Sequence, residues 1–447
     1  MILSLAIYIL ILLIPFQLYF NFYKTFSVSI AQILAGLIFI VSLKKIYNLC
    51  KKIVVREYAN KENEILTITV LIYILVMLLS IIVSDDKAQS LKYFIKWTSF
   101  MAIYFIAYAN IDNISSLKKC LQMGFVVIGV TSLIGVCEYY QGFQNVYQWF
   151  SHSCLAPIII EPETLKDKLI MGHNNWVIWG KELGLRVFST FDCAIEFSAY
   201  LGLLLPFSIW IIKERRQIVY IPVIVLILSA LLLNYTRSAY LSFLIVTAGL
   251  FILNYKHVNV KKVAIGIMFF VIILILSVSL NKLLREALEI RLNYSALQNS
   301  GRADVWLNGI KIFLSRPVLG VGVANYHNGL LKYIGANAVL LPAHNQYIQI
   351  AAETGVVGLI SYCSILFVAI RYSFEVFRKT LDEKMRYIAL GFIGMWGWYC
   401  IQSFFDTYLF GDKFSMMFWL MVGLNASLYR IYKNENKIVS GLNSNTR

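Results

Sequence analysis

The sequence predicts an all-α polytopic membrane protein with about twelve transmembrane helices and a large extracytoplasmic loop containing amphipathic helices. Composition, apolar run length and the placement of basic residues carry that reading. Of 447 residues, 59% are hydrophobic and only 14% are charged, whereas a soluble globular domain carries about 25% charged residues. Mean hydropathy is +0.69. Such a chain has too little polar surface to fold in water and too much apolar surface to stay disordered. Its 40 Lys and Arg against 24 Asp and Glu give a formal charge of +16. In a membrane protein that excess points to cytoplasmic loops rather than to nucleic acid.

Each apolar run is about 17–21 residues long, the length of helix that crosses roughly 30 Å of hydrocarbon. The runs lie near 2–20, 25–43, 66–84, 94–111, 120–139, 194–212, 219–234, 238–254, 263–280, 355–371, 385–404 and 414–432. The first has neither the basic leader nor the small-residue cleavage site of a signal peptide. Lys and Arg cluster in every second loop, at Lys44–Lys45, Lys51–Lys52, Lys118–Lys119, Arg215–Arg216, Lys261–Lys262, Arg378–Lys379 and after Arg430. That alternation puts both termini in the cytoplasm. The expected organisation is a first bundle over 1–280 with an outer loop near 140–193, then a large outer loop over 281–354. A second bundle follows over 355–432, and a cytoplasmic tail over 433–447. In the large loop, residues 281–292 are amphipathic, and Trp306, Ile310 and Phe313 form an apolar stripe at helical spacing. These helices are expected to lie along the outer membrane surface or to cap the bundle. Cys154 and Cys193 share the outer-loop region without metal-like spacing, as a disulfide or as two unpaired thiols.

Chemistry is sought in charges that a bilayer should not tolerate. Arg237 sits in a two- or three-residue turn at the start of the eighth run, where the helix dipole disfavours a cation. An anion there would satisfy both the guanidinium and the free helix N–H groups; an arginine snorkelling to lipid phosphate is the other reading. Arg186, just before the sixth run, fits a diphosphate clamp or an ordinary loop cation. Arg302 has the same two readings, the ordinary one being an ion pair with Asp304 or Glu289. His344 follows Pro342 at the start of a helix. That position disfavours imidazolium and suits a general base acting on a hydroxyl; a helix-capping or merely interfacial histidine is the alternative. Asn345 could orient a sugar. Trp149, Trp176, Trp179 and Trp306 fit sugar stacking or an interfacial aromatic belt. Asp85 and Asp86 could bind a divalent cation or start a helix. No glycine-rich nucleotide loop and no H-E-x-x-H occurs.

Around these residues the chain resembles the O-antigen ligase/polymerase family of bacterial envelope glycosyltransferases. His344-Asn345, nine residues, Gly355, two residues and Gly358 reproduce the family's ligase signature. Residues 301–326, with Gly301-Arg302, Trp306 and Pro317-Val318-Leu319-Gly320-Val321-Gly322, resemble the stretch preceding it. Thr236-Arg237-Ser238 resembles the family's Ser-Arg-small turn. Arg186 is similar to an arginine preceding a Gly-Thr-Phe segment, although Ser189-Thr190-Phe191 lacks the glycine. The resemblance covers about 186–371.

It implies transfer of a glycan from undecaprenyl diphosphate to an acceptor hydroxyl, on lipid A-core or similar, at the outer face of the bacterial cytoplasmic membrane. It implies no cofactor, no metal and inversion at the anomeric carbon. Arg237, Arg186 and Arg302 would hold the diphosphate and His344 would take the acceptor proton. Other expected partners are membrane lipids, with no nucleic acid. Two alternatives stay open. One is a polysaccharide polymerase that uses a second lipid-linked repeat as acceptor. The other is a transporter of lipid-linked oligosaccharide, which would favour broken helices and ionisable groups at the membrane midplane.

Overall fold

The computed structural model describes residues 2–16, 19–23, 26–54, 61–141, 177–178, 181–182, 187–213, 220–255, 302–335 and 341–444. The predicted run near 263–280, the amphipathic segment 281–292, Arg186, Glu289, Cys154, Trp149, Trp176 and Trp179 lie outside them. Over the described residues the fold is almost wholly helical. By length and composition, six helices there are long and apolar enough to cross a membrane.

Helix α1, Ile2–Leu13, is shorter than the run that predicts it. Pro15 disfavours helix in the residue before it. A two-stranded antiparallel ribbon follows, β1 (Tyr19–Tyr23) with β2 (Phe26–Ser29). Its aromatic and β-branched residues suit a strand, so the first two predicted runs are separated by ribbon rather than by a bare turn. Ser29 then starts α2, Ile30–Val54. Its hydroxyl accepts the Gln32 N–H (3.1 Å) and its own N–H reaches Gln32 Oε1 (2.8 Å), a reciprocal cap that satisfies two end groups. Helices α3 (Lys61–Ile82), α4 (Lys87–Asn110) and α5 (Ile114–Gln141) follow. Asp86 caps α4 by accepting the Gln89 N–H at 2.9 Å, while Asp85 pairs with Lys332 (2.9 Å) and Arg316 (3.4 Å). The two carboxylates thus serve a cap and two cations, which removes the divalent-cation reading.

A second ribbon, β3 (Val177–Ile178) with β4 (Lys181–Glu182), precedes α6, Ala194–Leu204. Pro206 tightens the chain into a 3-10 turn before α7, Ser208–Lys213. Next come α8 (Ile221–Leu233), α9 (Arg237–Asn254), α10 (302–315) and α11 (Tyr326–Tyr333). The chain closes with α12 (Gln346–Lys379), α13 (Glu383–Gln402) and α14 (Asp412–Ser444). Without water to drive apolar contact, membrane helices associate through small residues and buried polar bonds. Both occur here. Gly423 of α14 lies against Tyr104 and Ala107 of α4, and Gly202 of α6 against Trp398 of α13. Asn425 donates to the Ala369 carbonyl at 2.9 Å, and the Tyr372 and Tyr429 rings stack at 3.7 Å.

Helix α12 is broken at Gly355, whose φ of 68° and ψ of −170° are not helical. The segment 317–324 fills the break. Pro317 and Val318 carbonyls accept the Val356 and Val357 N–H groups (2.8 and 3.4 Å). In return, Val321 and Gly322 donate to the Ala352 and Glu353 carbonyls (both 2.9 Å). The buried Glu353 side chain receives the Ala324 N–H (3.0 Å) and the Gln349 amide (2.7 Å). A Cβ at Gly355 would strike Val318, and one at Gly320 would strike Glu353 backbone. Gly355 of the signature and Gly320 of the stretch before it therefore permit two backbones to interlock.

Gly355→Ala combines that clash with a backbone region open essentially to glycine alone, a cost of about 1–3 kcal/mol. Thermal unfolding of the purified protein in detergent should show a lower midpoint. Gly36→Ala on α2, where a Cβ meets nothing within 4 Å, should leave it unchanged or raise it slightly.

Candidate active site

The ends of α8, α9, α10, α12, α13 and α14 meet in one place. Asn234, Tyr235 and Thr236 form the three-residue turn between α8 and α9, and Tyr235 is left-handed (φ 54°). Asn234 is fully buried. Its amide donates to the carbonyls of Val187 and Ala194, both at 2.7 Å, and Thr236 bonds its Oδ1. The Val187 N–H also reaches the Leu233 carbonyl at 3.3 Å. The turn carrying Arg237 is thus laced to the segment that follows Arg186. That segment is held from its other side by Glu138, which accepts the Ser189 N–H at 2.8 Å. Arg237 opens α9 as an exposed side chain and makes no ion pair among the described residues.

Arg302 is the first residue of α10. Among the described residues its carboxylate neighbour is Asp406 rather than Asp304, with Nη2 3.8 Å from Oδ1. The expected stripe on this helix is also redistributed. Trp306 and Phe313 are half-buried while Ile310 is exposed. The Trp306 indole N–H points at the His344 carbonyl (3.4 Å).

His344 is left-handed (φ 46°) and immediately precedes the α12 cap. Asn345 Oδ1 accepts the Tyr347 and Ile348 N–H groups (3.0 and 3.1 Å), and its amide donates to the Phe404 carbonyl (3.1 Å). The Gln346 N–H reaches the Ser403 carbonyl at 2.8 Å. The start of α12 is thereby fastened to the loop between α13 and α14. That fastening brings His344 Nδ1 to 3.7 Å from Asp406 Oδ1.

Asp406 is the centre that sequence reasoning missed. Its side chain is only 2% exposed. Oδ2 accepts the Ser238 hydroxyl at 3.0 Å, one residue beyond Arg237. Oδ1 is buried without a hydrogen bond among the described residues, yet faces both Arg302 and His344. Separations of 3.7 and 3.8 Å exceed hydrogen-bond range, so these are electrostatic neighbours that a small shift would convert to bonds. The available signal was a lone acid in Gln402-Ser403-Phe404-Phe405-Asp406-Thr407, at the end of an apolar run.

The arrangement places one base, one buried carboxylate and one half-exposed guanidinium together, with a second exposed guanidinium a residue from the hydroxyl that anchors the carboxylate. It can accept a proton and stabilise an anion. Among the described residues, no three His, Cys, Asp or Glu side chains cluster to hold a metal ion. Among the described residues, the left-handed non-glycine positions are Ser189, Tyr235, Ala324 and His344, each in a segment held by the hydrogen bonds given above.

No curated protein matches the chain. Residues 222–363, from the first turn of α8 to the second half of α12, match the family model described as O-antigen ligase. The match takes in Arg237, Arg302, His344 and Gly355, and ends before Asp406. It supports an O-antigen ligase family assignment for this membrane protein, and with it a ligase- or polymerase-type role in polysaccharide biosynthesis.

Proposed function

We propose that the protein is a glycosyltransferase that moves a glycan from a polyprenyl diphosphate carrier, undecaprenyl diphosphate in the family it resembles, to an acceptor hydroxyl at the extracytoplasmic face of the bacterial inner membrane. The observation that carries this is the sharing of buried Asp406 by His344, Arg302 and the Arg237 turn. His344 Nδ1 faces the carboxylate, which leaves Nε2 to take the acceptor proton. Asp406 orients the ring and stabilises the imidazolium that forms, the logic of a base held by a carboxylate. The acceptor oxygen then bonds to the anomeric carbon as the carbon–oxygen bond to the diphosphate breaks. The bonding electrons leave with the phosphate, and a single displacement inverts the centre.

Arg237, exposed at a helix N-terminus, and Arg302 stabilise the departing charge. Arg186 is assigned to the same clamp because Val187 is bonded to the Arg237 turn. Asn345 and Trp306 are assigned to holding His344 rather than to gripping a sugar, since their polar atoms are engaged in the cap and on the His344 carbonyl. The O-antigen ligase description of the matched family favours a lipid A-core-type acceptor over a second lipid-linked repeat.

His344→Ala should lower transfer by about 10²–10⁴-fold, to a measurable residual rate, in a purified assay that follows release of polyprenyl diphosphate, while binding of the lipid-linked donor persists; transfer near the parent's rate would remove the base assignment. Asp406→Ala should lower the transfer rate by about 10²–10⁴-fold, the range of a general base's contribution. A rate within twofold of the parent's would remove Asp406 from the machinery. Arg237→Ala should weaken donor binding roughly 10–100-fold, the worth of one charge-assisted hydrogen bond; unchanged donor affinity would remove the clamp.

A further inference from the structure

Helix α10 has three faces rather than two. One turns inward: Ile312 is fully buried in a small core with Tyr326, Leu330 and Ala343, and Gly309 lies against Ile348. The outward side is itself divided. Leu307, Ile310 and Leu314 are 53%, 40% and 65% exposed. At 3.6 residues per turn these three fall on one stripe, and Asp304, Lys311 and Ser315 fall on another, about 90° away. A helix facing only water has no reason to sort its exposed side this way, whereas one lying in a membrane interface does.

The apolar stripe continues into a membrane-facing wall. Val318, 59% exposed, follows α10, and its carbonyl accepts the Val357 N–H of α12. Val356, Val357 and Ile360 there are exposed apolar residues on a helix long and apolar enough to span a bilayer. Between Leu314 and Val318, Arg316 turns away to the Val83 carbonyl (2.6 Å) and Tyr333 (3.1 Å), so its charge does not interrupt the stripe.

We propose that α10 is an interfacial helix whose Leu307, Ile310 and Leu314 are immersed in the lipid acyl chains of the leaflet adjoining the active site. Asp304 and Lys311 stay at headgroup level. The immersion stands without the glycosyl-transfer reading. Its consequence rests on that reading: Arg302, at the first turn of the same helix, is held at the depth of a lipid-borne diphosphate.

The test places a spin label on genetically encoded p-acetylphenylalanine at Leu314, Lys311 or Ile360, one at a time, in the full chain. The labelled protein is studied in nanodiscs of phosphatidylethanolamine and phosphatidylglycerol. Collision with oxygen, which partitions into lipid, is compared with collision with a water-soluble nickel chelate. The expected oxygen-to-nickel ratio at position 314 is severalfold above that at 311 and close to that at 360. Equal ratios at 314 and 311 would place the stripe in water and overturn the proposal. Weak collision with both reagents at 314 would overturn it too, by showing that protein covers the stripe, from a second copy or from another part of this chain. Neither outcome touches the transfer assay, so loss of the interfacial helix and loss of the enzyme reading are distinguishable.

Discussion

A buried carboxylate with one anchored and one unbonded oxygen sets the terms for the rest of the molecule. Removing a carboxylate from water costs several kcal/mol even after the protein relaxes, and Asp406 recovers this only if other segments bring it donors and positive charge. Ser238 brings a hydroxyl, Arg302 a guanidinium and His344 a ring that becomes positive when it takes a proton. These groups come from α9, α10 and the start of α12, while Asp406 sits between α13 and α14. The free oxygen is oriented but not consumed, which is the state a proton-accepting pair needs before substrate arrives.

The separations around Asp406 are governed by backbone contacts. Asn345 and Gln346 fasten the α12 terminus to the Ser403–Phe404 strip. The interlock at Gly355 fixes residues 317–324 against the same helix. Asn234 and Glu138 play the equivalent part on the other side, fixing the segments beside Arg237 and Arg186. Each left-handed residue lies beside such a bond. Ala324 is held by Glu353 and Ser189 by Glu138, so strain is offset by a carboxylate accepting the local N–H. A helix broken at glycine is also a feature of transporters. Here the freed backbone groups are taken up by the 317–324 segment, so the break serves as a joint between two pieces of protein.

Membrane character and helical fold were legible because apolar run length is a one-dimensional property. The Asp86 cap of α4 and the turn bearing Arg237 were legible because caps and short turns are local. The first two runs were misjudged in length: the run 2–20 takes in Tyr19 and Phe20 and passes over Pro15, and the run 25–43 takes in Phe26–Ser29, because hydropathy is blind to proline and to cross-strand pairing. The value of Asp406 was illegible for a different reason. Its significance comes from Ser238, Arg302 and His344, all distant in sequence, and nothing local marks a lone aspartate after an apolar run. Arg302 shows the same limit, since Asp304 is near in sequence while Asp406 is near in space. The spacing from His344 to Gly355 could be recognised as a pattern, but its cause, one short helix between a cap and an interlock, needed coordinates.

The central claim is that His344 and Asp406 act as one unit, and a double-mutant cycle tests it most directly. Transfer rates of the parent, His344→Ala, Asp406→Ala and the double variant would be compared by release of polyprenyl diphosphate. Groups that act together are strongly non-additive. The account predicts that the double variant is about as impaired as His344→Ala alone. If the two losses instead multiply in the double variant, the carboxylate and the imidazole work independently, and the shared site described here is contradicted.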